Sequence, residues 1–184
     1  MKAFFAALGL LAIGSLEEPN PRITDLVVQL DGPRVEVLFS LQDAFANGLN
    51  DRIDSGLPTA VTYEIQLLQP RRAWLPRTLG FDRKVTDREL QVMVKHDAVN
   101  AEYLVSYRLD GKLLESQILG EFQEVESAVT CPTPVALFNL DRDGNGEPFS
   151  IRVRADLGSK TILSFIPTRV TTAWIESRRF LPPA

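Results

Sequence analysis

Apolar and polar residues alternate along most of the chain, which is the pattern of half-buried β-strands. The alternation is cleanest in residues 59–69, where Val61, Tyr63, Ile65 and Leu67 share one face. Turn residues such as Asp110-Gly111 between two such runs predict hairpins. Other strands are predicted in residues 23–30, 34–40, 81–96, 101–109, 112–119, 149–157, 160–166 and 170–180, with a turn at Gly158.

The segment 41–55 instead places an apolar residue at every fourth position, which is typical of an amphipathic helix. We expect Ser40 to cap its first turn, and Gly56 with Pro58 to end it. A second, short helix is predicted near 121–129. The apolar residues of the first helix are Leu41, Phe45, Leu49 and Ile53.

Together these elements predict an α+β or mainly β fold. It consists of antiparallel, sandwich-like sheets of about eight strands, with one helix near 41–55 and another near 121–129. The chain of 184 residues is long enough for one domain with its own core. We place that single globular domain at residues 23–184.

The first residues are typical of a secretory signal peptide. Lys2 is followed by an uninterrupted apolar run at residues 3–14. This run is too short to span a bilayer, which needs about 20 apolar residues. No later stretch of the sequence is predicted to span one either. We therefore predict a signal peptide at 1–14, a linker at 15–22, and a periplasmic or secreted protein.

Composition excludes several classes of function. The formal net charge is −4, and removing Lys2 with the signal makes the mature chain more acidic, which argues against non-specific nucleic-acid binding. Cys131 is the one cysteine and His96 the one histidine, so the sequence offers neither an intrachain disulfide nor a clustered zinc site. His96 lies on the apolar face of its strand, where packing is the expected role. No nucleophile elbow or phosphate-binding loop is present, so we expect no enzymatic activity.

One stretch resembles a calcium-binding loop, "LDRDGNGEP" at residues 140–148. The twelfth position of an EF-hand loop needs a bidentate Glu, whereas this chain has Arg152, and Pro148 is also atypical. The stretch is therefore not an EF-hand. Two interpretations stay open, a tight β-turn and a partial calcium loop between strands. The candidate metal ligands are Asp141, Asp143, Asn145 and Glu147.

Two groups of arginines beside a tryptophan are candidate surfaces for a partner or a ligand. A guanidinium recognises carboxylates and phosphates, and a tryptophan can anchor a partner. The alternative is that each tryptophan packs at a sheet edge that the arginines keep soluble. The first group is Arg71, Arg72, Trp74 and Arg77, and the second is Trp174, Arg178, Arg179 and Phe180.

The order of these elements resembles the exported bacterial family known as domain of unknown function 4390. The similarity covers residues 23–125 and the C-terminal strand. It implies export and a fold, and it implies no activity. The residues that carry it are Ser55, Gly56, Leu57, Pro58, Thr59, Tyr63, Glu64, Arg71, Arg72, Trp74 and the Trp-x-x-Ser element at residues 174–177.

The sequence thus predicts a non-enzymatic exported domain that serves as a binding or scaffold module of the cell envelope, with an envelope protein as its partner. The alternative is a carrier or sensor of a small apolar or anionic ligand held between sheet and helix. No cofactor is expected apart from calcium, and the oligomeric state stays open.

If the 140–148 loop binds calcium, wild-type protein should melt at a higher temperature in calcium than in chelator. Asp141→Ala and Asp143→Ala should each abolish that rise, because each removes a carboxylate ligand. Thermal melts in millimolar calcium and in chelator measure the difference. Identical wild-type melting in both buffers would contradict the calcium interpretation.

Overall fold

The computed structural model describes residues 20–70, 82–132, 136–140, 146–162 and 166–182. Within these ranges the chain is mostly β-strand. The strands are β1 (Arg22–Asp31), β2 (Arg34–Gln42), β3 (Thr59–Gln69), β4 (Arg83–Asp97), β5 (Glu102–Leu109), β6 (Lys112–Leu119), β7 (Ala136–Asn139), β8 (Ser150–Ile162), β9 (Ile166–Thr171) and β10 (Ile175–Glu176). The helices are α1 (Leu49–Asp54) and α2 (Phe122–Thr130), with a 3₁₀ turn at Ala44–Asn47.

The strands form two antiparallel sheets, which confirms the predicted mainly β, sandwich-like fold. The smaller sheet has the order β1-β2-β7. The larger has seven strands in the order β10-β8-β3-β4-β5-β6, with β9 also paired to β8. Most neighbours follow one another along the chain, whereas β7 beside β2 and β8 beside β3 are brought together from distant parts of it.

The core lies between the two sheets and is built by the alternation seen in the sequence. Val61, Tyr63 and Ile65 of β3 are almost fully buried. They face the smaller sheet, as shown by the rings of Phe39 and Tyr63, whose centroids lie 4.9 Å apart. Burying one such aliphatic side chain contributes roughly 1.5–3 kcal/mol, so this face fixes which side of β3 points inward.

Helix α2 lies where the sequence predicts a short helix, and one of its faces packs into the core. Glu121 and Glu124 form a reciprocal capping box at its first turn, while Val125 and Val129 are buried. The Tyr63 hydroxyl donates a hydrogen bond to the Val129 carbonyl near the end of the helix. Burial raises the pKa of Tyr63 above its ordinary value, and nearby Cys131 adds to the rise. The helix is thus joined to the central strand by a buried polar bond.

The predicted helix near 41–55 is confirmed only in its second half. Leu41 continues β2, and Asp43 adopts a left-handed conformation with φ of 58°. A 3₁₀ turn and Gly48, with φ of 74°, then precede α1. The prediction that Ser40 caps the helix is wrong, because Ser40 lies inside β2. Leu41, Ala44, Leu49 and Ile53 are all buried, so the spacing identified the core residues but not the local backbone.

The predicted turn at Gly158 is also wrong. Strand β8 continues past it to Ile162, and Gly158, with φ of 80°, lies in an irregularity of the β8–β9 pairing between Asp156 and Ser159. Arg52 of α1 stabilises this site by donating to the carbonyls of Leu157, at 2.6 Å, and Ser159, at 3.2 Å. A glycine that allows an irregularity in a strand is easily mistaken for a turn in sequence.

Two further elements differ from the sequence prediction. The short strand β7 was not predicted, because its four residues form no recognisable period before they pair with β2. The predicted strand 170–180 is divided between the end of β9, the two-residue β10 and a bridge from Phe180 to Phe149. Among the described residues, no helix is long and apolar enough to cross a membrane.

Replacing Tyr63 with Phe should lower the free energy of unfolding by about 1–3 kcal/mol, because the Val129 carbonyl would lose its buried donor. The matched control is Tyr107→Phe, whose hydroxyl accepts a 3.2 Å bond from Gln117 in a less buried position. Urea unfolding of both variants measures the difference. Equal losses from the two substitutions would show that the Tyr63–Val129 bond has no special role.

Candidate functional site

The C-terminal segment 172–177 is held against the edge of β8 by backbone and hydroxyl bonds. The Thr172 amide donates to the Ala155 carbonyl, and the Ala155 amide donates to the Thr172 hydroxyl, both at 2.9 Å. The same reciprocal arrangement joins Ser177 to Ile151, at 2.7 and 3.0 Å. These hydroxyls continue the hydrogen bonding where the segment leaves regular strand geometry, and they fix the position of the residues between them.

Between these two anchors, Trp174 lies over two arginines of β8. The guanidinium carbons of Arg152 and Arg154 lie 4.6 and 4.7 Å from the centroid of its ring. Arg154 pairs with both carboxylate oxygens of Glu64, at 2.8 and 2.9 Å, and Arg152 donates two bonds to the side-chain oxygen of Gln66. We call Trp174, Arg152 and Arg154 the Arg–Trp layer. Such cation–π contacts are stronger when partly shielded from water, so the layer stabilises the outer face of the sheet.

The other predicted surface residues have different surroundings. Arg179 lies 3.4 Å from Asp82, and Arg178 is exposed. Phe180 pairs with Phe149, with ring centroids 6.3 Å apart. The arginines that Trp174 contacts are therefore those of β8. The other predicted cluster, Arg71, Arg72, Trp74 and Arg77, lies outside the described residues.

Sequence reasoning missed Arg152 and Arg154 as partners of Trp174. The alternation of β8 places both arginines on the polar face, and that much is readable from sequence. Trp174 covers them, and it lies in a segment about twenty residues later that returns to the sheet. Neither alternation nor spacing specifies that return.

A cleft of about 840 Å³ lies beside the Arg–Trp layer, where the start of β1 approaches β9 and β10. We call it the β1–β9 cleft. Ile23 contributes buried apolar surface to its lining, and Trp174 also borders it. Its volume falls within the range of ligand sites in proteins. It is lined by Asn20, Pro21, Arg22, Ile23, Thr168, Arg169, Val170, Thr171, Ala173, Trp174 and Ile175.

Two arginines give the cleft its charge. The side chains of Arg22 and Arg169 are 63% and 70% exposed, so both guanidinium groups reach solvent. Arg22 donates to the Gln42 side chain and lies 3.5 Å from Asp43. Arg169 donates through Nε, at 2.6 Å, and through Nη2 to one carboxylate oxygen of Asp156. Each arginine therefore contacts an acidic residue, Asp43 or Asp156, and remains accessible from solvent.

The pKa of Asp156 depends on opposing effects. Burial by itself raises it, but the hydrogen bond from Arg169, the amide of Gly158 and the nearby positive charges bring it below its ordinary value. The same hydrogen bond raises the pKa of Arg169. At neutral pH both groups are charged, and the pair fixes β9 to β8 beside the cleft.

The candidate calcium loop lies mostly outside the described residues. Asp141, Asp143 and Asn145 fall in the gap, while Glu147 is half-buried and Gly146 has φ of 63°, as a tight turn requires. Within the described ranges, no three His, Cys, Asp or Glu side chains form a group that could hold a metal ion. Calcium binding stays a prediction.

His96 and Cys131 occupy separate places. His96 stacks on Tyr103 with centroids 4.6 Å apart, which is the packing role that its strand position predicts. Cys131 is exposed just after α2, and its sulfur lies 3.6 Å from the Ser40 hydroxyl.

The Asp156–Arg169 pair predicts a pH-dependent stability. Because the folded-state pKa of Asp156 is lowered, its contribution is complete above the ordinary aspartate pKa of about 4, and it is lost as the pH falls through the lower folded-state value. Asp156→Asn should lower the free energy of unfolding by about 1 kcal/mol at neutral pH, and the difference should vanish in acid.

Urea unfolding of wild type and Asp156→Asn between roughly pH 3 and pH 7 measures this difference. The control is Asp87→Asn, which removes an exposed pair with Lys84 and should change stability little at any pH. A loss in Asp156→Asn that is independent of pH would contradict the prediction.

Comparison with known proteins places most of the chain in one family. Residues 18–164, about four fifths of the sequence, match the family described as Domain of unknown function (DUF4390). The match includes the segment 55–64 and ends before the segment 174–177. No curated protein and no solved structure matches the chain. The chain therefore belongs to the domain of unknown function 4390 family, as the order of its elements suggests.

Proposed function

We propose that this protein is a non-enzymatic binding module of the cell envelope, which is exported and holds an acidic segment of a partner protein in the β1–β9 cleft. The observation that carries the proposal is the composition of that cleft. It combines a buried apolar residue, Ile23, with the Trp174 ring and the exposed cations Arg22 and Arg169.

The two cations keep donors for a partner. A guanidinium has five N–H donors. Arg169 uses Nε and Nη2 on Asp156, so its Nη1 donors are not used by that pair. Arg22 lies 3.5 Å from Asp43, a distance at which an exposed ion pair is weak. A carboxylate that approaches either residue therefore meets donors that its acidic neighbour leaves free.

The apolar part of the cleft supports a peptide as occupant. Val170 and Ile175 are half-buried, and each could contact an aliphatic side chain of an extended segment. Trp174 is positioned by its contacts with Arg152 and Arg154 before any partner arrives, so little conformational entropy is lost when it serves as an anchor. An acidic segment with one or two apolar residues matches both features.

The envelope location rests on the sequence. Lys2 followed by the apolar run 3–14 has the layout of an export signal. The described part of the chain contains no helix that could cross a membrane. A mature domain that reaches the envelope in this way would meet its partner at the membrane surface or in the periplasm.

The alternative is a carrier of a small anionic or apolar ligand. The observation that favours it is the volume of about 840 Å³, which lies within the small-molecule range. Its place would be the β1–β9 cleft. Two further clefts, of about 400 and 370 Å³, lie near Cys131, and none of the three is lined by residues 44–54.

A photo-crosslinking amino acid at Ala173, an exposed residue of the cleft, tests the proposal in cells that export the protein. We expect a discrete protein adduct from Ala173 and none from a matched probe at Val99, which is 93% exposed in the β4–β5 turn. Arg22→Gln should lower the adduct yield about fivefold, the effect of losing about 1 kcal/mol. Arg83→Gln, which removes an exposed arginine of β4, should leave the yield unchanged.

Equal adducts from Ala173 and Val99, or none from Ala173, would overturn the partner proposal. A Trp74→Phe variant then separates the alternative, because Trp174 becomes its one tryptophan. A shift of Trp174 fluorescence on addition of cell extract depleted of protein would favour the small-ligand carrier.

A further inference from the structure

The β1–β9 cleft runs along the edges of two strands. One wall consists of the consecutive residues Thr168 to Thr171 of β9, and the other consists of residues 20–23 at the start of β1. A cleft against the face of a strand would contact alternate residues only, because successive side chains point to opposite faces. Contact with consecutive residues therefore places the cleft at the margin where the two sheets meet.

The outer edge of β9 has no strand beside it among the described residues, since β9 pairs with β8 alone. Such an edge presents main-chain N–H and C=O groups that a further strand can use. The edge of β1 on the opposite wall is less suitable. Its pairing with β2 is interrupted between Thr24 and Val27, directly after the part that lines the cleft, and such irregularities discourage strand addition.

The pairing of β9 with β8 shows which of its main-chain groups point outward. Pro167 lies opposite Thr161 and has no N–H, so these two residues cannot exchange a pair of hydrogen bonds. Bonded and non-bonded pairs alternate along an antiparallel ladder. Arg169, two residues after Pro167 and opposite Ser159, is therefore also in a non-bonded pair, and its N–H and C=O point away from β8.

A second observation, at the other end of β9, gives the same alternation. The Thr172 amide donates to the Ala155 carbonyl of β8, so the main-chain groups of Thr171 point away from β8. The irregularity in the β8–β9 pairing has its extra residue in β8, so β9 itself alternates regularly. Arg169 and Thr171 both line the cleft, and their main-chain groups form one outer edge along it.

We propose that the acidic partner segment binds as an added β-strand on the outer edge of β9, with its main chain bonded to Arg169 and Thr171. This mode of binding rests on the proposed function of the cleft and specifies the form of its occupant. A strand added about 4.8 Å from β9 would lie in the cleft, between β9 and the start of β1.

The side chains of β9 specify the sequence of that segment. Val170 packs against the core, whereas the Arg169 side chain is 70% exposed and pairs with Asp156. Side chains that lie opposite one another in neighbouring strands share a face of the sheet. The added strand should therefore carry an acidic residue opposite Arg169 and an apolar residue opposite Val170, where Ile23 also lines the cleft. A segment that alternates acidic and apolar residues meets both requirements.

Charge favours another protein over a second copy of this chain as the source of the strand. Pairing of β9 with β9 of a second copy would bring two Arg169 guanidinium groups to one edge, close to Arg22, and like charges there are destabilising. A small anion would reach the two cations but leave the row of main-chain groups unused. An acidic strand from a partner uses both.

The test places a photo-crosslinking amino acid at Asn20, on the wall opposite β9, in cells that export the protein. Thr171→Pro removes the outward N–H and no bond to β8, and the strand already contains Pro167 at an equivalent position. Thr171→Val loses the same hydroxyl but keeps the N–H. The adduct yield of Thr171→Pro should be about tenfold below that of Thr171→Val, because the partner carbonyl loses its donor. Circular dichroism checks that both variants fold.

Equal yields from folded Thr171→Pro and Thr171→Val would overturn the added strand and leave a partner in the cleft. No adduct of the wild type from either Asn20 or Ala173 would instead overturn the proposed function, and the added strand with it. A crosslink to Glu17 or Glu18 of the same chain, or to a second copy, would also overturn the proposal and assign the cleft to that occupant.

Amide exchange provides a measurement that needs no substitution in β9. Deuterium uptake of residues 168–172 should be lower in the purified adduct than in the free chain, because the amides of Arg169 and Thr171 become donors to the added strand. Uptake of β6, at the other margin of the sheet, is the internal control. Equal uptake of residues 168–172 in adduct and free chain would overturn the proposal, whether or not Thr171→Pro folds.

Discussion

The structure depends on β3, a strand of the larger sheet that pairs with β4 on one side and β8 on the other and buries one face. Its odd-numbered residues from Val61 to Leu67 contribute to the core, whereas Thr62, Glu64 and Gln66 form its polar outer face. Pairing with β4 and β8 over most of its length fixes the register of the larger sheet. Because a slip by one residue would exchange the two faces, this strand permits one arrangement of its neighbours.

The outer face of the same sheet is stabilised by charge and by aromatic cover. Glu64 pairs with Arg154 across the β3–β8 ladder, and Trp174 lies over Arg154 and Arg152. Exposed ion pairs contribute little, whereas partial shielding from water strengthens both the pair and the cation–π contact. The C-terminal segment therefore completes the fold by covering charged residues that come from the middle of the chain.

The two margins of the larger sheet differ in the partners they suit. The β9–β10 margin borders a cleft with cations and a tryptophan held by Arg152 and Arg154, and the β6 margin carries exposed aliphatic side chains. Since these margins are separated by the width of the sheet, binding at one leaves the other free.

Sequence by itself determined the elements whose periods are local. The alternation in residues 59–69, the Asp110-Gly111 hairpin and the helix near 121–129 follow from short-range rules, and the structure has all three. The period of four in 41–55 identified buried residues correctly, but it did not distinguish one continuous helix from the end of a strand, a 3₁₀ turn and a short helix. Several backbones can place the same side chains in one core.

Only the tertiary structure decided which residues form the candidate sites. The sequence groups Trp174 with Arg178 and Arg179, yet the ring lies on Arg152 and Arg154. The cleft in turn combines Arg22 with Arg169, which come from opposite ends of the chain. That β6 is the last strand of the larger sheet among the described residues is likewise invisible in the sequence, because long-range pairing decides the strand order. Local patterns determine how a segment folds, whereas long-range pairing determines what that segment meets.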